Sequence, residues 1–209
     1  GAASKTYDDT TAATLTGSAS VTAIGADVVT VTDSSAATFA DKNAGSGKVV
    51  SVTGFALSGV DAGNYNLVQP SGLTADIGKA NLAVTGLSAS NKTYDGSTAA
   101  TLTGSASVAA IGTDVVTLGG SGVGSFADKN AGSGKAVVVS GYTLSGVDAS
   151  NYTLVAPSSL TASIARANLA VSGIVAASKT YDATTAATLT GSASVTAIVG
   201  DVVALAGAG

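Results

Sequence analysis

A four-residue motif, Lys5-Thr6-Tyr7-Asp8, returns twice along the chain and constrains the fold more than any other feature. It recurs as Lys92-Thr93-Tyr94-Asp95 and as Lys179-Thr180-Tyr181-Asp182, each time 87 residues further on. The segments between the motifs recur at the same spacing, so the chain is a tandem array. This period exceeds the roughly 20–50 residues of solenoid repeats, and domains of roughly 60 residues often fold alone. We therefore expect compact units with their own cores, and a β-solenoid is the alternative.

The residue pattern predicts strands and no helix. In the first copy Ala13, Leu15, Ala19 and Val21 alternate with Thr and Ser, which is typical of a strand with one buried face. Gly, Asn, Asp and Ser clusters separate the strand candidates at intervals typical of a β-sandwich. The further predicted strands of the first period are 27–31, 48–52, 55–57, 65–68, 73–77 and 82–84. We predict an all-β chain of tandem Ig-like β-sandwich repeats of 87 residues.

A short motif before one predicted strand supports the sandwich. Asp61-Ala62-Gly63-Asn64-Tyr65 resembles an immunoglobulin tyrosine corner, in which the phenol binds nearby backbone. Leu67 stands where an antibody domain carries its second Cys, so an apolar side chain replaces the disulfide. The second copy keeps Asp148 and Tyr152. We expect Asp61, Tyr65, Asp148 and Tyr152 to have structural roles.

Strand pairing suggests where the repeats begin and end. If Leu82-Ala83-Val84 opens the second unit, the boundaries fall at 1–79, 80–166 and 167–209. The first repeat then lacks its first strand, the second is complete, and the third is truncated. Because the chain begins and ends within a period, we expect it to be a window on a longer protein. The linkers are almost absent, which favours a stiff rod.

The composition argues against several classes of function. The 209 residues contain no Cys, His, Met, Trp or Glu, so disulfides and thiolate metal sites are excluded. The net charge is −4 and nine Lys and Arg residues are dispersed, whereas nucleic-acid binding needs clustered basic residues. No run of about 18 apolar residues could span a membrane. Gly1 to Lys5 contain no apolar h-region of a signal peptide.

We expect no enzymatic activity and no cofactor. Without His, Cys and Glu the common nucleophile–base pairs cannot form, and the recurrent Asp residues lie in turn-like contexts. Calcium is the remaining candidate, since Asp41 with Asn43, and Asp61 with Asn64, offer oxygen ligands. Neither pair has EF-hand spacing, and we interpret both as Asx-turns.

The repeated Lys-Thr-Tyr-Asp motif allows two interpretations. It could contact a ligand or form a Lys–Asn/Asp isopeptide cross-link. Alternatively, Tyr7 packs on the edge of the core while Lys5 and Asp8 stay solvated or paired. We favour the second, because a buried Lys has to be paired or shift its pKa. The same interpretation applies in the other copies to Lys92, Tyr94, Asp95, Lys179, Tyr181 and Asp182.

Three motifs in fixed order resemble the YDG repeat family. Their clearest copies lie at residues 92–100, 126–135 and 144–152. Gly96 supplies the family's Gly, whereas Asp9 and Ala183 replace it in the other copies. The family occurs as tandem modules in large secreted bacterial surface proteins, often alongside filamentous-haemagglutinin-type secretion regions. The resemblance implies an extracellular, adhesin-like or filament-forming stalk, and it brings no catalytic residues.

We predict a structural module of a cell-surface adhesin or fibre, with the chain itself as the main partner. A missing first strand would leave a sheet edge that a neighbouring chain fills by strand addition. The alternative is a module that binds a glycan or protein receptor. Its ligand loop would lie where the copies differ most, Thr32 to Thr38 against Gly119 to Ser125, although a tolerant surface loop explains the difference as well.

Overall fold

The computed structural model describes residues 1–206, the side chain of Ser34 excepted, and these residues are all-β, as predicted. Single 3₁₀ turns lie at Ala62–Asn64 and Ala149–Asn151, and nothing in the part described forms a helix able to cross a membrane. The strands are β1 (Lys5–Thr6), β2 (Thr30–Phe39), β3 (Gly45–Ser58), β4 (Leu73–Gly78), β5 (Ala80–Ala83), β6 (Thr85–Ala89), β7 (Lys92–Thr93), β8 (Ala99–Ala100), β9 (Leu102–Ser107), β10 (Thr117–Phe126), β11 (Gly132–Ser145), β12 (Tyr152–Val155), β13 (Thr161–Ala165), β14 (Val171–Ala176) and β15 (Leu189–Val195).

The strands form two larger sheets and three pairs. The four-stranded sheet has the order β1-β4-β3-β2, and the five-stranded sheet has the order β7-β13-β11-β10-β8. The pairs are β5 with β12, β6 with β9, and β14 with β15. Three sets of neighbours run parallel: β1 with β4, β5 with β12, and β7 with β13. Parallel neighbours need long connections, which the intervening strands provide.

Strand β3 shows how the sequence selects the buried face. Its β-branched residues alternate, so that Val50 and Val52 are buried while Val49 is exposed. β2 pairs with it on one side and β4 on the other, both antiparallel. The predicted strands 48–52 and 55–57 are therefore one continuous strand.

The chain divides into two compact units, each built from segments of more than one period. Unit 1 comprises Gly1–Thr85, Ala106–Ser121 and Tyr142–Ala156, and unit 2 comprises Gly86–Ser105, Gly122–Gly141 and Pro157–Gly209. The predicted boundaries at 1–79, 80–166 and 167–209 stay predictions. The core of unit 1 consists of Tyr7, Phe39, Val50, Val52, Ala75, Ile77, Ala80, Leu82 and Tyr152. The core of unit 2 consists of Phe126, Val137, Ala162 and Ile164.

Two predicted strands differ between copies. The alternating segment from Ala13 to Val21 makes one isolated bridge, at Leu15, in the first copy, although it forms β9 in the second and β15 in the third. β9 pairs with β6, whereas in the first copy Leu15 makes a single bridge with Ala2. Likewise Tyr65–Val68 is not a strand, whereas the matching Tyr152–Val155 is β12. A strand needs its partner as well as its sequence.

The variable stretch is not a loop, and this expectation was wrong. Thr32 to Thr38 lies inside β2, and Gly119 to Ser125 lies inside β10. β2 pairs with β3 along most of its length, with a bulge between Asp33 and Ala36. Much of the stretch faces solvent, so its side chains vary without changing the fold.

Candidate functional site: the tyrosine–aspartate clusters

The Lys-Thr-Tyr-Asp motif closes a tight turn at the end of β1. The Lys5 ammonium donates to Asp8 Oδ1 at 2.7 Å and to the Thr10 carbonyl at 2.8 Å. Asp8 also accepts from the Thr10 backbone N–H at 3.0 Å, which is an Asx-turn. Lys5 and Thr10 donate to the Asp8 carboxylate and outweigh its partial desolvation, so its pKa lies below the usual range. Of the two expected arrangements, solvated or paired, Lys5 and Asp8 adopt the paired one.

This turn places Tyr7 in the core of unit 1. The residue is 2% exposed, and its ring meets the ring of Tyr152 edge-on at 5.5 Å between centroids. The Tyr7 phenol donates to Asp114 Oδ2 at 2.6 Å, and the two residues are 107 positions apart. Since the period is 87, a residue of one period thus binds a carboxylate of the next.

The Asp114 carboxylate accepts three hydrogen bonds. Besides Tyr7, the Tyr152 phenol donates to Oδ2 at 2.7 Å and the Lys42 ammonium to Oδ1 at 2.9 Å. The Asp114 side chain is 0% exposed, so the donors replace the water that a carboxylate needs. Lys42 also pairs with Asp9, which has a left-handed φ of 65°. We call Tyr7, Lys42, Asp114 and Tyr152 the Asp114 cluster.

The cluster shifts the pKa values of its members. Burial opposes ionisation of Asp114, but the donors Tyr7, Tyr152 and Lys42 outweigh it and hold the pKa of this carboxyl below its usual range. Burial and the bond to Asp114 raise the pKa of Tyr7 and of Tyr152. Bonds to Asp9 and Asp114 raise the pKa of Lys42. In this cluster Asp114 is therefore ionised, Lys42 is protonated and both phenols are neutral.

Unit 2 repeats most of this arrangement around Asp201. The Tyr94 phenol donates to Asp201 Oδ1 at 2.8 Å, across the same 107 positions, and the Lys129 ammonium donates at 2.6 Å. These donors lower the pKa of Asp201. The local turn is also repeated, because Lys92 pairs with Asp95 at 2.8 Å. The Asp201 side chain is 20% exposed, and among residues 1–206 Tyr94 is the one tyrosine that donates to it.

The third motif keeps the turn without the cluster. Lys179 pairs with Asp182 at 2.8 Å, and Asp182 accepts from the Thr184 N–H. Tyr181 is 90% exposed. The expected packing of the tyrosine on a core is thus found at Tyr7 and is absent at Tyr181.

The tyrosine-corner residues bind distant segments. The Tyr65 hydroxyl accepts from the Ile24 N–H at 2.8 Å and donates to Asp27 at 2.7 Å, and Tyr152 makes the same two bonds with Ile111 and Asp114. The phenol therefore contacts backbone 41 residues earlier, whereas an immunoglobulin corner contacts nearby backbone.

Asp61 and Asp148 also act over a long range. Asp61 accepts from the Val28 N–H at 2.8 Å, and Asp148 accepts from the Val115 N–H at 2.8 Å. The expected Asx-turn at Asp61 is replaced by this bond. The expected Asx-turn at Asp41 is present, since the Asn43 N–H donates to Asp41 Oδ1 at 2.8 Å.

Sequence reasoning missed Asp114, Lys42 and Asn151 as joining residues. Asn151 is 1% exposed; its side-chain oxygen accepts from the Ala44 N–H at 2.9 Å, and its amide nitrogen lies 3.3 Å from Asn43 Oδ1. Asp114 and Lys42 recur one period later as Asp201 and Lys129, and this recurrence could have drawn attention to them in the sequence. The recurrence does not reveal that Tyr7 is the partner of Asp114, because the two residues are 107 positions apart and lie in different periods.

The calcium and cross-link alternatives can be compared with the geometry of the candidate residues. Among residues 1–206 no three Asp side chains lie close enough together to hold a metal ion. Asp41 binds the Lys48 ammonium at 2.6 Å, which occupies an oxygen that a metal would need. An isopeptide bond at Lys5 stays a hypothesis, which the intact mass would test through the loss of one water for an Asp partner or of one ammonia for an Asn partner.

Taken together, the fold and the clusters define a class: an all-β tandem-repeat protein in which a buried aspartate joins one period to the next. The YDG domain model matches residues 1–72 and 78–162, so the chain belongs to the YDG domain family. The resemblance seen in the motifs is thereby confirmed at the level of the family. Comparisons with curated proteins and with solved structures found no match.

Proposed function

We propose that the chain is a structural repeat module of an extracellular bacterial adhesin or fibre, acting as a stalk or a self-assembling subunit. The observation that supports this most is the Asp114 cluster, in which Tyr7 and Lys42 of one period bind a carboxylate of the next. The contact recurs at Asp201 with Tyr94. A contact that repeats with the period allows an array to extend by simple repetition.

The proposal includes an Ig-like β-sandwich as the repeating body. In support, the core of unit 1 joins Val50 and Ile77 of the four-stranded sheet with Leu82 and Tyr152 of the β5–β12 pair. Two faces packed over a shared apolar layer are the basis of such a body.

The extracellular, cell-surface setting is also part of the proposal and rests on the family resemblance. A chain without Cys or Met has few oxidisable side chains, which suits an oxidising exterior. The receptor-binding alternative stays a prediction. Because Thr32 to Thr38 lies in a paired strand, a ligand would have to bind the exposed face of that strand.

A stalk transmits force along its chain, so mechanical unfolding tests the proposal. Cysteines introduced at the two termini allow the chain to be pulled between a surface and a tip, because no native Cys competes. We expect resolved unfolding events in the unaltered chain and a lower unfolding force in Asp114→Ala. Asp33→Ala is the matched control, since the Asp33 side chain binds locally, accepting from the Ser35 N–H at the bulge of β2.

Extension without resolved unfolding events would contradict a load-bearing role. Equal unfolding forces in Asp114→Ala and Asp33→Ala would show that the cluster does not carry load. Binding of the unaltered chain to a glycan or host protein, lost on exchanging 32–38 for the sequence of 119–125, would favour the receptor-binding alternative.

A further inference from the structure

The residue that follows each Tyr-Asp pair differs among the three motifs. It is Asp9 in the first motif, Gly96 in the second and Ala183 in the third. All three have a left-handed backbone, with φ of 65°, 79° and 59°. Glycine adopts such a φ freely, whereas other residues adopt it at a cost in free energy. An aspartate at this position therefore needs a contact that offsets the cost.

Asp9 makes such a contact inside unit 1, beside the Asp114 cluster. Its carboxylate pairs with Lys42, which also donates to Asp114 Oδ1 at 2.9 Å. Its Oδ2 lies against the α-carbon of Gly112, because a Cβ there would collide with this oxygen. A side chain at position 112 in this backbone would displace the Asp9 carboxylate from Lys42. Asp9 thus fits a following period that has Gly at this position.

Gly112 belongs to the turn that leads into Asp114. The Asp114 N–H donates to the Ile111 carbonyl at 3.1 Å, so residues 111–114 form a β-turn. The φ of Gly112 is 57° and the φ of Thr113 is not positive, which defines a type II′ turn. Because type II′ requires a positive φ at the second residue, Gly112 selects this turn.

The matching turn of the following period, residues 198–201, has the opposite type. The Asp201 N–H donates to the Ile198 carbonyl at 2.9 Å. Here the positive φ, 91°, belongs to Gly200 and not to Val199, which defines a type II turn. The glycine stands one position later than in the preceding period, which accounts for the change. Types II and II′ are mirror images, so their central peptide groups face opposite ways.

In unit 2 this type II turn faces Gly96. A Cβ at Gly96 would lie 3.0 Å from Ile198 Cγ2 and 3.8 Å from the Val199 carbonyl oxygen. The first distance is shorter than the optimal separation of two carbon atoms. A carboxylate at position 96 would also approach a carbonyl oxygen that, like itself, only accepts hydrogen bonds. Gly96 therefore fits the type II turn, and an aspartate in its place does not.

We propose that the residue after the Tyr-Asp pair and the turn before the buried aspartate of the next period form a matched pair that determines which period can follow which. Asp9 takes a following period with a type II′ turn, and Gly96 takes one with a type II turn. The partner that this surface recognises is a further period of the same family. The inference deepens the proposed stalk by naming what orders its periods, and it rests on that proposal.

A matched pair of this kind solves a problem that arises from similar neighbouring copies. Tyr7 and Tyr94 each donate to an aspartate 107 positions further on, so this bond is the same in both units. The phenol–carboxylate bond alone does not distinguish one following period from another, and misassembly is a characteristic failure of repeat proteins. The contact of Asp9 with Gly112 excludes the turn of residues 198–201 from unit 1 and so fixes the order.

Exchanging the turn in unit 1 of the full chain tests the match. Gly112→Val with Thr113→Gly gives residues 111–114 the sequence of residues 198–201. We expect the unfolding equilibrium constant of unit 1 to rise about tenfold, because residues in contact couple by about this factor. Asp9→Gly alone should change the constant little, since its partner Lys42 is one-third exposed. Adding Asp9→Gly to the exchange should return the constant to within about threefold of the Asp9→Gly chain. Urea unfolding followed by tyrosine fluorescence measures each constant.

The reciprocal exchange in unit 2 is the matched experiment. Gly96→Asp alone should raise the unfolding equilibrium constant of unit 2 about tenfold, and adding Val199→Gly with Gly200→Thr should reverse most of the rise. A turn exchange in unit 1 that folds only together with Asp9→Gly would support the match as well. Failure of Asp9→Gly to rescue that exchange, or an equal effect of Gly96→Asp with either turn, would overturn the match. Both contradictions would leave the stalk proposal standing, because the pulling experiment tests that proposal separately.

Discussion

Replacing Asp114 by Ala should destabilise unit 1 strongly, because one carboxylate satisfies two buried phenols. The Tyr7 and Tyr152 residues are 2% and 3% exposed, and both hydroxyls donate to Asp114. A hydrogen bond to a charged group contributes about 1.5–3 kcal/mol, so two of them give about 3–6 kcal/mol. Lys42 is one-third exposed and keeps its pairing with Asp9, so the loss of its bond to Asp114 adds little. We expect a loss of about 3–6 kcal/mol in the free energy of unfolding.

Urea unfolding followed by tyrosine fluorescence measures this loss, since the chain has six Tyr and no Trp. With a slope of about 2 kcal/mol per molar, the midpoint should fall by about 1.5–3 M urea. Asp201→Ala is the matched control, with one phenol and a partly exposed carboxylate, and its midpoint should fall clearly less. Equal shifts in the two variants, or no shift in Asp114→Ala, would refute the assignment of Asp114 as a buried joining residue.

Acid, alkali and a glycine substitution each test a further contact of unit 1. The depressed pKa of Asp114 stabilises the fold above the unfolded value of about 3.9, so the urea midpoint should fall as the pH drops through the folded pKa. The raised pKa of Tyr7 stabilises the fold below about pH 10, so the midpoint should also fall above that pH; constant midpoints at both extremes would contradict these shifts. Gly59 has a φ of 116°, and a Cβ there would collide with the Val28 carbonyl oxygen, so Gly59→Ala should cost about 2–4 kcal/mol. Gly47 has a φ of 59° with open space, so Gly47→Ala should cost only about 1 kcal/mol in the same assay, and equal costs would argue against the close approach at Gly59.

The fold could be predicted from local patterns wherever a strand has a partner. Val50 and Val52 alternate with polar neighbours, and they lie buried in β3 as expected. Tyr65–Val68 and Tyr152–Val155 have nearly the same sequence, yet only the second is a strand, because β5 lies beside it. Sequence patterns report what a segment prefers and do not report whether its partner is present.

The site was harder to predict than the fold. The turn formed by Lys5 and Asp8 is local, so a four-residue motif was enough to suggest it. The bond from Tyr7 to Asp114 spans 107 residues, and an aspartate beside a turn looks the same whether it caps that turn or binds a distant phenol. Only packing distinguishes these roles.

Hydrogen exchange on the full chain carrying Tyr7→Phe tests the central claim most directly. Removing this hydroxyl takes one donor from Asp114 and should loosen the segment Ile111 to Asp114 in the following period. At a cost of about 1.4 kcal/mol, amide exchange there should become about tenfold faster, while β13 in unit 2 should keep its protection. Unchanged exchange between Ile111 and Asp114 would contradict the account, because the periods would then be independent.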